Sequence, residues 1–478
     1  MKSRRRGAAN RPPRRTAHRK TSISAAKFLL LGRSRTPADP DRPTSIWTCL
    51  QPDSRCLGRR RSAPFTKFSQ AGHSARRPSG RHGKEQTTQG AIDVKLRKTG
   101  VLLLLSALLA LGVAACGGGS SSSSTSGAET AGASEGGEAE SGGSSTEGLS
   151  GTISGAGSTF AQPIISQWGS ELKEQGLTVN YNSIGSGGGV AQFQENTVDF
   201  GDSDAAMSDE EVEAAEKNGT PVHVPIVLGA VTVSYNLPGV ETGLKLDGAT
   251  VAEIFLGKIT EWNDPAIAKL NPGVELPETA ISVYHRSDSS GTTALFTEFL
   301  SDYSPEWKSQ LGEGDTVKWP TGTGANGNEG VAGGVSQTEG AIGYVELAYA
   351  LQNEFTFADV QNKAGKFIEP SLESTSAAGE DVKFPPDLRF SMINASSSPA
   401  AYPIASTTFV LVYEDLCKAG KSEETAKNVV GFLDYALGPE GQAAGEELDY
   451  APLSPELREA SQAKVDGLKC NGKPIKAA

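Results

Sequence analysis

From residue 151 onward the chain alternates short apolar runs with longer stretches whose apolar residues recur at helical spacing. Residues 177–181, 222–233, 281–285 and 407–413 are rich in β-branched and aromatic side chains and predict strands. Residues 161–175, 294–300 and 422–437 place their apolar residues on one helical face and predict helices. Strands alternating with helices predict an α/β architecture. No tandem repeat interrupts the pattern.

Upstream the pattern changes. Residues 117–150 are Gly, Ser, Thr, Ala and Glu with almost no large apolar side chain. Such a stretch cannot build a core, so it predicts a flexible tether. Before it lies the apolar run VLLLLSALLALGVAA, with Lys95, Arg97 and Lys98 ahead of it and Cys116 directly after it. The run is shorter than the roughly 20 apolar residues of a spanning helix. A basic start, a short apolar middle and small residues at the end are the layout of a signal peptide, here 94–115. Residues 1–93 show no sustained period, which predicts a disordered basic extension. A signal peptide this far inside the chain suggests that synthesis starts at Val94, from an alternative start codon, with 1–93 a mis-assigned start.

Charge sharpens the division. The 478 residues carry a net charge of −11, yet 1–93 hold 22 Lys+Arg against 5 Asp+Glu, and 116–478 hold 20 against 51. A body this acidic repels phosphate polymers, which argues against nucleic acid as a partner. None of the cysteines Cys49, Cys56, Cys116, Cys417 and Cys470 forms a C-x-x-C pair, which disfavours zinc and thioredoxin-like readings. The residues VAAC ending at Cys116 resemble the bacterial lipobox, where the cysteine is lipidated and the signal is cut just before it. That resemblance implies an extracytoplasmic protein anchored to the membrane, with the tether lifting the body off it. Cys417 and Cys470 are then left, either paired in an oxidising compartment or as two free thiols.

Four segments of the body carry candidate chemistry: GAGSTF (155–160), IGSGGG (184–189), DFGDSD (199–204) and RSDSSGT (286–292). Three of them set Ser or Thr beside Gly just before a predicted helix. Free N–H groups and a partial positive charge make a helix start an oxyanion site, and a hydroxyl adds a donor. Ser and Thr at helix starts are more often plain caps. The coincidence of three, with Arg286 and Asp204, points to a ligand.

These stretches, together with NYNSIGSGGGV, TVKWPTGTGANGNEGVAGGV, GAIGYVELAYA and YPIASTTFVLV, resemble the PstS-type phosphate-binding proteins of high-affinity phosphate transporters. The likeness spans residues 154–470. It implies a two-lobed periplasmic-binding-protein-like fold (type II), with a hinge and the ligand in the cleft between lobes. Lobe 1 would be 151–232 plus 403–478 and lobe 2 would be 233–402, with crossings near 233–236 and 402–408. The resemblance also implies phosphate contacts from Thr159, Phe160 through its backbone N–H, Ser186, Asp204, Arg286, Ser290, Gly291 and Thr292, with Asp288 orienting the arginine. It implies inorganic phosphate and ABC-transporter permease subunits as partners, a monomer, and neither cofactor nor metal. Asp202 departs from the family's pattern, where a small residue is common; a turn after it is expected to leave it facing water.

The same residues bear on two rival functions. A secreted phosphatase lacks support: the body has no G-x-S-x-G elbow, and its histidines, His223 and His285, show no metal-ligand spacing. His223 lies in PVHVPIV and reads as a strand residue, and Trp262, Trp319 and Tyr344 read as packing residues. A binder of another tetrahedral oxyanion, sulfate or molybdate, is disfavoured by Asp204, because a carboxylate accepts hydrogen bonds and donates none.

Overall fold

The computed structural model describes residues 148–475. The expectations for residues 1–93, the signal segment 94–115, Cys116 and nearly all of the 117–150 tether lie outside these residues.

The chain runs through β1 (Gly151–Gly157), α1 (Gln162–Glu174), β2 (Leu177–Ser183), α2 (Ser186–Gln194), β3 (Phe200–Ser203), α3 (Asp209–Ala215) and β4 (Pro221–Asn236). It continues with β5 (Leu244–Leu246), α4 (Gly248–Phe255), α5 (Pro265–Leu270), β6 (Ser282–Arg286), α6 (Gly291–Tyr303), α7 (Pro305–Gln310), β7 (Thr323–Ala325), α8 (Gly327–Gln337), β8 (Ala341–Glu346) and α9 (Leu347–Gln352). It closes with β9 (Thr356–Gln361), β10 (Phe367–Ile368), α10 (Leu372–Gly379), β11 (Ala405–Tyr413), α11 (Glu423–Leu437), α12 (Pro439–Glu446), α13 (Pro455–Asp466) and the short pair β12 (Lys469–Cys470) and β13 (Lys473–Pro474).

Local chemistry accounts for these elements. In α1 a proline sits at the start, where its missing N–H costs nothing. Its buried Ile164, Ile165, Trp168 and Leu172 form one stripe, and Trp168 donates to the Gly441 carbonyl at 2.8 Å. Ser422 caps α11 by accepting from the Thr425 N–H, and Glu423 and Glu424 in the first turn suit the positive end of the helix. β4 and β11 are buried along nearly their whole length, as strands covered on both faces must be.

The long strand β4 organises the body. The sheet order is β2-β1-β3-β11-β4-β8-β6-β7. β4 pairs antiparallel with β11 over Pro221–Ala230 and with β8 over Val231–Asn236. It therefore belongs to two halves of the sheet and changes partner at Ala230/Val231, a little before the 233–236 expected. The return crossing lies alongside, where the Val231 N–H donates to the Ile404 carbonyl at 2.8 Å. On one side of this point the sheet continues through β11, β3, β1 and β2, and on the other through β8, β6 and β7.

Cys417 and Cys470 are joined by a disulfide that closes a 53-residue separation and ties β12 to the segment after β11. His223 is a buried strand residue whose Nε2 accepts the Met207 N–H at 3.1 Å; burial lowers its pKa to about 4, so the ring stays neutral. Trp262 and Tyr344 are fully buried, and Trp319 packs partly buried against the same core. Among the described residues no helix is long and apolar enough to cross a membrane. Nor, among them, is there a group of three or more His, Cys, Asp or Glu able to hold a metal.

Candidate functional site

The four segments singled out in the sequence meet where the lobes face each other. From the first lobe come the loop after β1 (Ser158–Phe160), the start of α2 at Ser186 and the end of β3 with Asp204. From the second lobe come Arg286 at the end of β6 and the start of α6, Gly291 and Thr292. Thr159, Phe160, Ser186, Asp204, Arg286, Ser290 and Thr292 are all buried.

Gly185, with φ of 85°, turns the chain into α2 without a side-chain cap, so the helix start is left open. The lobes touch here. The Gly187 N–H donates to the Ser289 carbonyl across the cleft at 3.2 Å. A Cβ on Gly291 would lie 2.4 Å from Ser186 Oγ and 2.8 Å from Asp204, so only glycine permits this approach. Cavities of about 520 Å³, lined in part by Ser186, Gly187 and Gly291, and about 480 Å³, lined in part by Asp204, Glu298 and Arg389, adjoin the cluster.

Asp204 is the hub. Its Oδ1 accepts from Ser158 Oγ at 2.5 Å and Thr408 Oγ1 at 3.1 Å. Its Oδ2 receives only long contacts, 3.4 Å each, from Ser186 Oγ and from Thr292 Oγ1 of the other lobe. Burial pushes its pKa up to about 6, and the Ser158 hydroxyl, the Arg286 charge and Thr408 pull against further rise. At neutral pH it is therefore mostly ionised and acceptor-only.

Arg286 supplies the opposite charge. Its Nε donates to Asp288 Oδ1 at 2.8 Å, its Nη2 donates to Asp288 Oδ2, and its Nη1 reaches Thr292 Oγ1 at 3.3 Å. Burial works against the Asp288 carboxylate, but the hydrogen bonds from Arg286 outweigh it and hold the pKa below the usual range. Ser290 caps α6, its Oγ accepting the Thr293 N–H at 3.1 Å. The cap leaves the Ser290 hydroxyl hydrogen to be donated elsewhere.

Asp202 corrects an expectation. It does not face water: it is fully buried, with Oδ1 2.6 Å from Thr408 Oγ1 and Oδ2 3.1 Å from Tyr181 Oη. The turn expected at this point comes too late, because β3 runs through Ser203 and pairs with β11 through Asp202↔Val410.

The structure also adds residues to which the sequence assigned no role: Ser158, Tyr181, Asn328 and Thr408. Asn328 matters most. Its backbone N–H and its Nδ2 both donate to Thr159 Oγ1, at 3.0 and 2.8 Å, and Nδ2 also donates to Thr292 Oγ1 at 3.1 Å. With Arg286 on Thr292 as well, both threonine oxygens have their acceptor capacity filled, so each hydroxyl can only donate. Its signal in the sequence is the stretch GANGNEG, part of the family resemblance. Asn328→Ala is expected to weaken oxyanion binding by roughly tenfold or more with little loss of folding cooperativity, measured by titration calorimetry beside a denaturant melt.

Comparison with known proteins identifies the family. A family model described as a PBP superfamily domain matches residues 134–440. The phosphate-binding protein PstS of Pasteurella multocida is 45% identical over 329 residues, covering 68% of this chain and 93% of that protein. The phosphate-binding protein PstS of Haemophilus influenzae is 46% identical over 309 residues, covering 64% and 90%. A crystal structure of a phosphate binding protein from Stenotrophomonas maltophilia aligns with a TM-score of 0.52 at 22% identity, over 66% of this chain and 94% of that one, which supports the fold.

Proposed function

The chain belongs to the PstS phosphate-binding proteins of the PBP superfamily, and from that premise we propose that it captures inorganic phosphate outside the cytoplasm and delivers it to an ABC transporter for import. The family is one of binding proteins rather than enzymes. The observation that carries the proposal is the buried carboxylate of Asp204, whose Oδ2 has only long 3.4 Å contacts, set among hydroxyl donors and opposite Arg286.

Phosphate near neutral pH carries at least one proton, and sulfate carries none. A site built of donors alone would take either. Asp204 accepts the proton of hydrogen phosphate in a short charge-assisted bond, and the same carboxylate repels a sulfate oxygen. Arg286 answers the anion's charge with paired donors. Thr159, Ser186, Ser290 and Thr292 supply hydroxyls, and Phe160 and Gly291 supply backbone N–H groups at the starts of α1 and α6. Burying a dianion is costly unless nearly every oxygen is hydrogen-bonded, which is what so many donors achieve. Closing of lobe 1 (151–232 with 403–478) on lobe 2 (233–402) traps the ion. The protein acts as a monomer held to the membrane by lipid on Cys116, with 117–150 as its tether.

Titration calorimetry of the purified, ligand-stripped protein with phosphate and then sulfate tests this reading. One-to-one phosphate binding with sulfate silent is expected. Equal sulfate binding would remove the role given to Asp204, and silence toward both would remove the function. Cys116→Ser is expected to release the protein from membranes on fractionation, and continued association would overturn the anchor.

A further inference from the structure

The proton inventory around Asp202 and Asp204 does not balance with both carboxylates ionised. Five oxygen–oxygen contacts of hydrogen-bond length link them: Ser158 Oγ to Asp204 Oδ1, Thr408 Oγ1 to Asp204 Oδ1 and to Asp202 Oδ1, and Tyr181 Oη to Asp202 Oδ2 and to the Ser158 carbonyl. The hydroxyls of Ser158, Thr408 and Tyr181 bring only three hydrogens. Thr408 in particular lies 2.6 Å from one carboxylate and 3.1 Å from the other, and has one hydrogen to give. With two carboxylates ionised, Tyr181 must share its one hydrogen between Asp202 and the Ser158 carbonyl, and Thr408 sets a lone pair against one of two buried anions.

We propose that Asp202 holds a proton both before and after phosphate binds and donates it to Thr408 Oγ1, which in turn donates to Asp204 Oδ1, so that of these two carboxylates only Asp204 carries a negative charge. Asp202 is thus a positioning residue acting through Thr408. The proposal rests on the reading of Asp204 as the phosphate acceptor.

The surroundings fit. Asp204 faces Asp202 from the end of the same strand, Tyr181 from β2 and Thr408 from β11. The charge of Arg286, from the other lobe, bears on Asp204. Tyr349, also from the other lobe, donates to the Thr159 carbonyl and bears on Tyr181. Burial first, and then the neighbouring Asp204 charge, raise the Asp202 pKa well above the carboxylate range. Burial and the same two carboxylates keep Tyr181 protonated.

The consequence is an alkaline limit on phosphate capture. As Asp202 ionises, a second buried charge faces the bound dianion. Over the range where hydrogen phosphate is the dominant species, wild-type affinity should fall with rising pH. In Asp202→Asn the amide donates to Thr408 without any charge to lose, so the alkaline fall in affinity should vanish. If Asp202 were ionised, the same substitution would tighten phosphate binding near neutral pH by roughly tenfold or more and so overturn the proposal.

Infrared spectra of the phosphate-free protein supply the second arm. A protonated-carboxyl band present in wild type and missing from Asp202→Asn is expected; identical spectra would overturn the proposal. That arm decides the position of the proton even where the titration finds no phosphate binding and the parent reading fails. Should Asp202→Asn not fold, Thr408→Val should weaken phosphate roughly tenfold and Thr408→Ser restore it. Wild-type affinity in Thr408→Val would rule out the relay.

Discussion

Replacing Asp204 by Asn is expected to lower the ratio of phosphate to sulfate affinity by roughly a hundredfold. The side chain is buried, and its two oxygens are unequal. Oδ1 is satisfied by Ser158 and Thr408, whereas Oδ2 has only 3.4 Å contacts from Ser186 and Thr292. An amide keeps the first oxygen as an acceptor and can present a donor at the second. Hydrogen phosphate loses a charge-assisted bond but also a repulsion, so its affinity changes modestly. Sulfate exchanges repulsion for a hydrogen bond and gains the most. Competition calorimetry reads the ratio directly, and an unchanged ratio would deny Asp204 its role as proton acceptor. A pH effect accompanies it. The Asp204 pKa in the empty fold, about 6, lies above the unfolded value near 4. The empty fold therefore has the full benefit of this group below about pH 4 and loses it as pH rises through about 6. Melting temperatures of ligand-free Asp204→Asn should lack that decline.

Arg286→Ala is expected to weaken phosphate binding by roughly a thousandfold. The guanidinium is nearly inaccessible and holds three positions at once: both oxygens of Asp288 and the hydroxyl oxygen of Thr292. Truncation removes the charge that answers the anion. It also leaves Asp288 without its ionic partner beside the site, where it repels the ligand. Arg286→Lys keeps the charge and loses the fork, so it should recover only part of the affinity. Asp288→Asn should cost less than either arginine variant, because the arginine stays and only its orientation loosens. Near wild-type binding by Arg286→Ala would mean that phosphate is held elsewhere.

Much of this was legible along the chain. The four segments 155–160, 184–189, 199–204 and 286–292 announced themselves by Gly, Ser, Thr and Asp beside predicted helix starts, and each lies at the cleft. The strands read at 177–181, 222–233, 281–285 and 407–413 are β2, β4, β6 and β11 within a few residues at their ends. Apolar periodicity and helix-start chemistry are local properties, and local properties survive in a sequence.

Three features were decided only by tertiary structure. The two-lobe division depends on β4 exchanging β11 for β8 at Ala230/Val231, and nothing in PVHVPIVLGAVTVSYN marks that point, because both halves are equally buried. Asn328 links Thr159 to Thr292 across sequence separations of 169 and 36 residues, and no local signal connects them. Asp202 was expected to face water because the segment was expected to turn there. In β3 every residue is buried, so alternation along the strand offers no wet face to assign it to. Its environment comes from Tyr181 and Thr408, the latter 206 residues away on the antiparallel neighbour β11. A sequence records which groups need partners; where both faces of a strand are covered, only the packing of distant strands determines which partners they receive.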